Sequence, residues 1–162
     1  MFTTRNDLVL YFKELGFSKG AEIGVLDGGF SVFMCQTNPN LKLYCVDSWG
    51  NGERSNRMRN YHLKMYARAK IKLAPYNATL IKKLSIDAVN DFKNNSLDFV
   101  YIDANHSTRN VLEDVTVWTD KVKHHGFVSG HDYDSLSVKQ AVDDYIKKNR
   151  LRIKFNGTGS TR

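Results

Sequence analysis

Four stretches of the chain carry residues whose types and spacing can do chemistry. Glu22-x-Gly24-x-x-x-Gly28 sits within AEIGVLDGGFSVFM, residues 21–34. Asp47 closes LKLYCVD, Asp103 closes LDFVYID with His106 just beyond it, and His131-Asp132 follow GFVSG. The first stretch reads as a buried strand, a glycine turn and the opening of a helix. Ile23 and Val25 supply β-branched strand character. Gly24, Gly28 and Gly29 give backbone freedom where a side chain would block a close approach, and a helix opening presents unpaired N–H groups to whatever occupies the turn. It is not the dinucleotide fingerprint, which needs Gly-x-Gly against a pyrophosphate, because Val25 and Leu26 follow Gly24. Nor does a Gly-Lys-Ser/Thr close it as in a P-loop. A loose glycine turn with an acid on its strand suits a ligand with an adenosine and no phosphates; a merely structural strand–helix turn is the alternative.

The elements that position these residues follow from periodicity and turn signals. Thr4 or Asn6 caps a first helix that Gly16 ends. A first strand is expected over Gly20 to Val25, and a helix from about Phe30 that Asn38-Pro39-Asn40 breaks. Leu41 to Asp47 is the second strand. The basic segment is helical from about Arg54 to Ala69, Ile71 to Ala74 is a short third strand stopped by Pro75, and Asn77 to Phe92 is helix-like with a hinge at Ser85. Leu97 to Asp103 is the clearest strand, and Val111, Leu112, Val115, Trp118 and Val122 recur at helical spacing. Gly126 to Gly130 is a fifth strand. Val138, Ala141, Val142, Tyr145 and Ile146 mark a last helix, and Arg152 to Phe155 a sixth strand. Alternating strands and helices with near-continuous apolar strands mean an α/β, doubly wound parallel sheet covered on both faces. Its ligands bind beyond the strand C-termini. The glycine turn, Asp47, Asp103 and His131-Asp132 therefore line one rim.

The whole chain bounds the function. Its 162 residues suit one domain over 1–162, with 155–162 a frayed tail. The N-terminus carries charges through its apolar positions, so neither a signal peptide nor a membrane span is expected. Cys35 and Cys45 lack ligand-like spacing and read as buried thiols in a reducing, cytoplasmic setting. The net charge of +7 is concentrated in Arg54, Arg57, Arg59, Lys64, Arg68, Lys70 and Lys72, with Tyr61 and Tyr66 among them. A solvated helix face is the plain reading; phosphate contact or docking of an anionic acceptor is the sharper one.

Asp47 lies where, in doubly wound folds, an acid accepts hydrogen bonds from ribose hydroxyls, a helix N-cap being the alternative. Asn77-Ala78, placed after the third strand, would meet the adenine edge, although turn chemistry also explains Asn77.

Together, AEIGVLDGGFS, LYCVDSWG, LDFVYIDANHS and GFVSGHDY resemble the class I S-adenosylmethionine (SAM)-dependent methyltransferases. The likeness is greatest to a small Rossmann-like branch with IDA-x-H and GHDY motifs, and it runs over about residues 5–155. It implies SAM as cofactor and Glu22, Gly24, Gly28, Asp47, Ser48 and Asp103 as cofactor contacts, with Asn77-Ala78 near adenine. It also implies strand order 3-2-1-4-5-6. The family's seventh, antiparallel strand has no counterpart before Arg162, so a sixth-strand edge is expected to pair copies into a homo-oligomer.

Methyl transfer needs an acceptor in line behind the sulfonium methyl. For a hydroxyl acceptor, such as a sugar or hydroxylated metabolite, His106 is the expected base, a helix-start histidine bonded to backbone being the alternative. His131 and Asp103 share the rim as further candidate catalytic groups, and Asp103 with Asp132 could hold Mg2+ that would acidify the hydroxyl. Rival readings are a nucleic-acid methyltransferase working through residues 54–72 and a non-catalytic SAM-binding scaffold. NAD-linked reduction ranks last, for want of Gly-x-Gly and a substrate domain.

Overall fold

The computed structural model describes residues 4–151. Five parallel strands, β1 Lys19–Ile23, β2 Lys42–Asp47, β3 Ala78–Lys82, β4 Leu97–Ile102 and β5 Val122–Gly130, lie in the order β3-β2-β1-β4-β5. The connecting helices are α1 Arg5–Glu14, α2 Gly29–Thr37, α3 Asn56–Leu73, α4 Ser85–Ala88 (running into a 3-10 turn), α5 Thr108–Thr119 and α6 Leu136–Asn149. This is the doubly wound order expected for the first five strands. Among the described residues no helix is long and apolar enough to cross a membrane.

Strand alternation sorts the core into two layers. Leu43, Cys45 and Phe99 pack beneath α1, α2 and α3 with Phe12, Met34, Met65, Ala69 and Leu73. Ala21, Ile23, Val100 and Ile102 face the other way, onto Ala88, Val89 and Trp118. α6 adds Val138 and Ala141 against Val111 of α5. Cys35 and Cys45 are free and buried, as expected.

The third strand is corrected. Ile71 to Ala74 is not a strand: α3 runs on to Leu73, burying Met65, Ala69 and Leu73 at helical spacing, while Ile71 points to solvent at 77 % exposure. Pro75 stops the helix, and β3 begins at Ala78, inside the stretch expected to be helical. Parallel register sets Leu43 opposite Ala78 and Asp47 opposite Lys82. Asn77-Ala78 thus stands at the strands' N-terminal ends, across the sheet from the rim, and is withdrawn as an adenine contact. Lys83, Leu84 and Ser85 stand at the rim instead, with the Lys83 N–H bonded to the Asp47 carbonyl. The first strand ends at Ile23, leaving Val25 to the turn, and the fifth starts early, at Val122, with a register shift. The sixth strand over Arg152 to Phe155, and the edge it would offer a second copy, lie outside the described residues.

Two carboxyl groups buried at opposite ends of the sheet respond to burial in opposite ways. At the N-terminal end, Asp98 accepts from the Ser18 and Lys19 N–H groups, both at 2.8 Å, and from Lys123 Nζ at 2.7 Å. Burial works against its charge, but Lys123 and the two amides win and hold the carboxyl below its usual range. At the C-terminal end, Glu22 on β1 is 2 % exposed and accepts from the Ser31 hydroxyl. Here burial dominates and lifts the carboxyl from 4.5 to about 8, so it is mostly neutral at pH 7.

Asp98→Ala should lower the unfolding free energy in urea by about 1–3 kcal/mol, by removing the acceptor of two partly buried amides and one ammonium. The group's pKa is lowered in the fold, so its stabilisation is present above the unfolded carboxylate range and is lost as pH falls through the folded value. The variant should therefore lose less stability in acid than the parent. Glu22 has the opposite sign: its raised pKa gives a stabilisation fully present below pH 4.5 and lost as pH rises through about 8. Stability should decline at up to about 1.4 kcal/mol per pH unit across that window, and Glu22→Gln should flatten the decline. Urea titrations at about pH 2.5 and at 5.5 check the first, and at pH 5.5 and 8 the second; equal pH dependence in parent and Glu22→Gln between pH 5.5 and 8 would refute the Glu22 assignment.

Candidate active site

The rim is built around the end of β2. The Asp47 carboxylate accepts from the Val25 and Leu26 N–H groups through Oδ2, both at 2.9 Å, and from the Trp49 N–H through Oδ1 at 2.7 Å. Trp49, fully buried, donates its indole N–H to the Leu26 carbonyl at 2.7 Å. These bonds hold Leu26 and Trp49 at φ +52° and +40°, conformations costly for side chains of that size. A carboxylate offers about four acceptor positions, and backbone N–H groups take three of them. Ser48, half-buried, stands beside it.

The two glycines of the turn answer first to the protein. A Cβ on Gly24, at φ +93°, would sit 2.0 Å from the Asp103 carbonyl oxygen, so the β1 turn lies against the backbone leaving β4. One on Gly28, at φ +79°, would lie 3.3 Å from Ala69 Cα and 3.2 Å from Leu73 in α3. The Gly24 and Gly28 N–H groups bond to the Val46 and Val25 carbonyls. Lys72 of α3 closes on Asp27 in the same turn at 2.6 Å. Glu22 lies beneath the rim, engaged with Ser31 and closed to solvent.

On the other side of β1 the remaining predicted groups meet. His106 Nε2 lies 3.4 Å from Asp103 Oδ1 and 3.2 Å from Asp132 Oδ2, while His131 Nδ1 is 2.8 Å from Asp132 Oδ1. One ligand atom from each of Asp103, His131 and Asp132 falls within 4.8 Å of the others. All four side chains are partly open to solvent. Asp132 adopts φ +56°, and its carbonyl accepts from the Ser135 N–H at the start of α6. Ser137 donates to the His106 carbonyl at 2.6 Å. Tyr133 donates to Asp143 at 2.5 Å, and Lys139 bonds to both at 2.9 and 2.7 Å. α6 thus fixes both loops that carry the histidines. With carboxylates on two sides, the His106 ring can take a proton from a hydroxyl and have the resulting charge met.

Several functional neighbours escaped the sequence. Ser31 had a signal in its distance from Glu22, a strand followed by one turn of helix. Tyr101 looked like another apolar strand position. Arg5 looked like an ordinary helix-start residue. A groove of about 550 Å³ between α4 and α5, lined by Ile86, Thr108, Arg109, Leu112 and neighbours, lies off the rim and holds none of the predicted groups.

A family model described as a methyltransferase domain matches residues 21–133. The fold is shared with solved structures of low identity. The precorrin-6y C5,15-methyltransferase of Geobacter metallireducens is 16 % identical (TM-score 0.63), over 88 % of this chain and 69 % of that one. An O-methyltransferase of Bacillus cereus, solved with S-adenosylhomocysteine (SAH), is 16 % identical (TM-score 0.64), over 88 % and 66 %. The O-methyltransferase TomG of Streptomyces achromogenes, solved with SAM, is 14 % identical (TM-score 0.64), over 92 % and 69 %. No curated protein sequence matches the chain significantly. The family match runs through the glycine turn, Asp47, Asp103 and His131-Asp132, and the chain belongs to the class I SAM-dependent methyltransferases.

Proposed function

We propose that this methyltransferase acts on a hydroxyl oxygen of a small metabolite, such as a sugar or other hydroxylated compound. The supporting observation is the position of His106 between two carboxylates at the rim. Carbon and amine acceptors do not call for a base there in the same way; a hydroxyl does, because its oxygen becomes a strong nucleophile only as the proton leaves. Adenosine rests in the turn held by Asp47, with Gly24, Gly28 and Ser48 bordering it and Asp47 taking one ribose hydroxyl. Glu22 acts from below as a neutral prop to the turn. The acceptor oxygen forms a bond to the sulfonium methyl as the carbon–sulfur bond breaks. That electron pair returns to sulfur, leaving SAH, and the acceptor's proton passes to the His106 imidazole. Asp103 and Asp132 face the imidazolium, and His131 orients Asp132.

A divalent cation fits the same groups in part. Asp103, Asp132 and His131 supply two carboxylates and an imidazole, a set better suited to manganese, iron or zinc than to Mg2+, which prefers oxygen throughout. Bound there, a cation would lower the hydroxyl's pKa. The basic residues have a different reach. Arg57, Lys64, Arg68 and Lys72 fall on one stripe of α3, which packs on α2 at the β2–β3 side, away from His106. The stripe favours a nucleic acid or other long anionic acceptor only if it spans both halves of the rim. Binding of SAH without turnover of any acceptor would favour a scaffold. Two buried free thiols support a reducing, cytoplasmic location.

In calorimetry the protein should bind SAH with micromolar affinity, and Asp47→Ala should weaken it at least about tenfold, through loss of one charge-assisted hydrogen bond and of the three amide bonds that shape the turn. Unchanged affinity would place the adenosine elsewhere. His106→Ala should leave SAH affinity within about twofold and lower turnover of hydroxyl acceptors by about 10²–10⁴-fold. Full activity in that variant would remove His106 from the reaction, and full activity in the parent after chelation would remove the cation.

A further inference from the structure

α1 returns into β1, so its first residue stands over the strands' C-terminal ends, at the rim. That residue is Arg5. A cation in the first helical turn opposes the helix dipole, and α1 is capped without it, by the reciprocal Thr4–Asp7 bonds. Among the described residues Arg5 forms no ion pair with a carboxylate. Its guanidinium lies 4.7 Å from the centre of the Phe30 ring, which opens α2 after the glycine turn, and Phe30 lies 4.7 Å from Tyr101. Tyr101 is 1 % exposed, and its hydroxyl has no hydrogen-bond partner of normal geometry, although Arg5 is within reach. Burial raises the phenol's pKa; Asp103 adds to that and Arg5 opposes it, so both charges act on this one hydroxyl. Glu22, paired with Tyr101 in the β1–β4 register, feels the same two.

Resting on the cofactor reading above, we propose that Arg5, with the Tyr101 hydroxyl beside it, holds the α-carboxylate of SAM. The ribose at Asp47 fixes one end of the cofactor at β2, and the amino-acid end then crosses β1 toward β4. A zwitterion arriving there needs an anion for its ammonium and a cation for its carboxylate. Asp103 supplies the first and Arg5 the second, its planar fork able to bind a carboxylate through two parallel hydrogen bonds. The buried phenol gains the partner that the protein does not give it. Phe30 keeps the guanidinium plane in place by stacking. Arg5 would thereby set a preference for cofactors that retain the carboxylate.

The test compares SAM with decarboxylated SAM, which keeps the adenosine, sulfonium and ammonium and lacks only the carboxylate, by calorimetry on the full chain. The parent should prefer SAM by about 10–100-fold. Arg5→Met should bring the two affinities within about threefold by weakening SAM alone, Arg5→Lys should restore part of the preference, and Tyr101→Phe should cut it severalfold. Melting curves of Arg5→Met should match the parent, since the cap does not use Arg5. The proposal fails if Arg5→Met leaves the preference intact or weakens both ligands equally. A parent that binds neither ligand would overturn the cofactor site itself, whereas a parent that binds both equally would overturn only the role of Arg5.

Discussion

The Asp47 carboxylate ties the second strand to the turn that follows the first. Three backbone N–H groups converge on it, two from the turn and one from its own loop. Backbone amides that lie near a rim must find acceptors, and an ionised carboxylate is a strong one. Once Val25 and Leu26 are gathered, the chain has to turn with φ positive at Leu26, and the Trp49 indole seals that conformation from beneath. The turn is then low enough for Gly24 to lie on the Asp103 backbone and Gly28 on Ala69, contacts that any Cβ would disrupt. The glycines are therefore first a condition for packing three segments together. Whatever room they give a cofactor follows from that packing.

Electrostatics at this rim is graded by depth. Asp47 and Asp103 stand where water or ligand can reach them. Glu22, directly below, is shut in with only the Ser31 hydroxyl and is carried up to about 8. A third full negative charge at that depth would repel the other two and lack solvation, and neutrality avoids both costs. Asp98, less deeply enclosed at the far end of the sheet, stays ionised because two amides and Lys123 surround it. Depth and the number of donors together decide which carboxyl keeps its charge.

Much of this was legible in the sequence, because parallel strands end in short polar stops that mark the rim. Asp47, Asp103 and His131-Asp132 lie at or just past strand ends, and His106 does lie with Asp103. The failure at residues 71–78 has a physical cause. Ile71 is β-branched and sits before a proline, a local strand signal, but the eighteen-residue α3 is held by Met65, Ala69 and Leu73 on the opposite face. Tertiary burial overrode local preference, and the error moved a whole strand and the residues assigned to its end. Arg5 and Tyr101 were illegible for another reason. Nothing in a helix-start arginine or a strand tyrosine signals a neighbour nearly a hundred residues away.

The rim is divided by β1 into halves with different supports. The half at Asp47 is locked by backbone: the Asp47 bonds, two glycine contacts and the α2–α3 packing leave little that could change without loss of the fold. The other half is held mostly by side chains, from one helix and its N-cap. Ser137 grips the His106 carbonyl, the Ser135 amide grips the Asp132 carbonyl, and the Tyr133–Asp143–Lys139 cluster anchors the intervening loop. Side-chain supports on a solvated helix can be exchanged at a cost of about a kcal/mol each, whereas the backbone contacts at Gly24 and Gly28 cannot. Such an arrangement lets the geometry around His106 vary while the turn at Asp47 stays fixed. The Asp47 turn is built into the sheet, and the histidine cluster is secured from one edge of it.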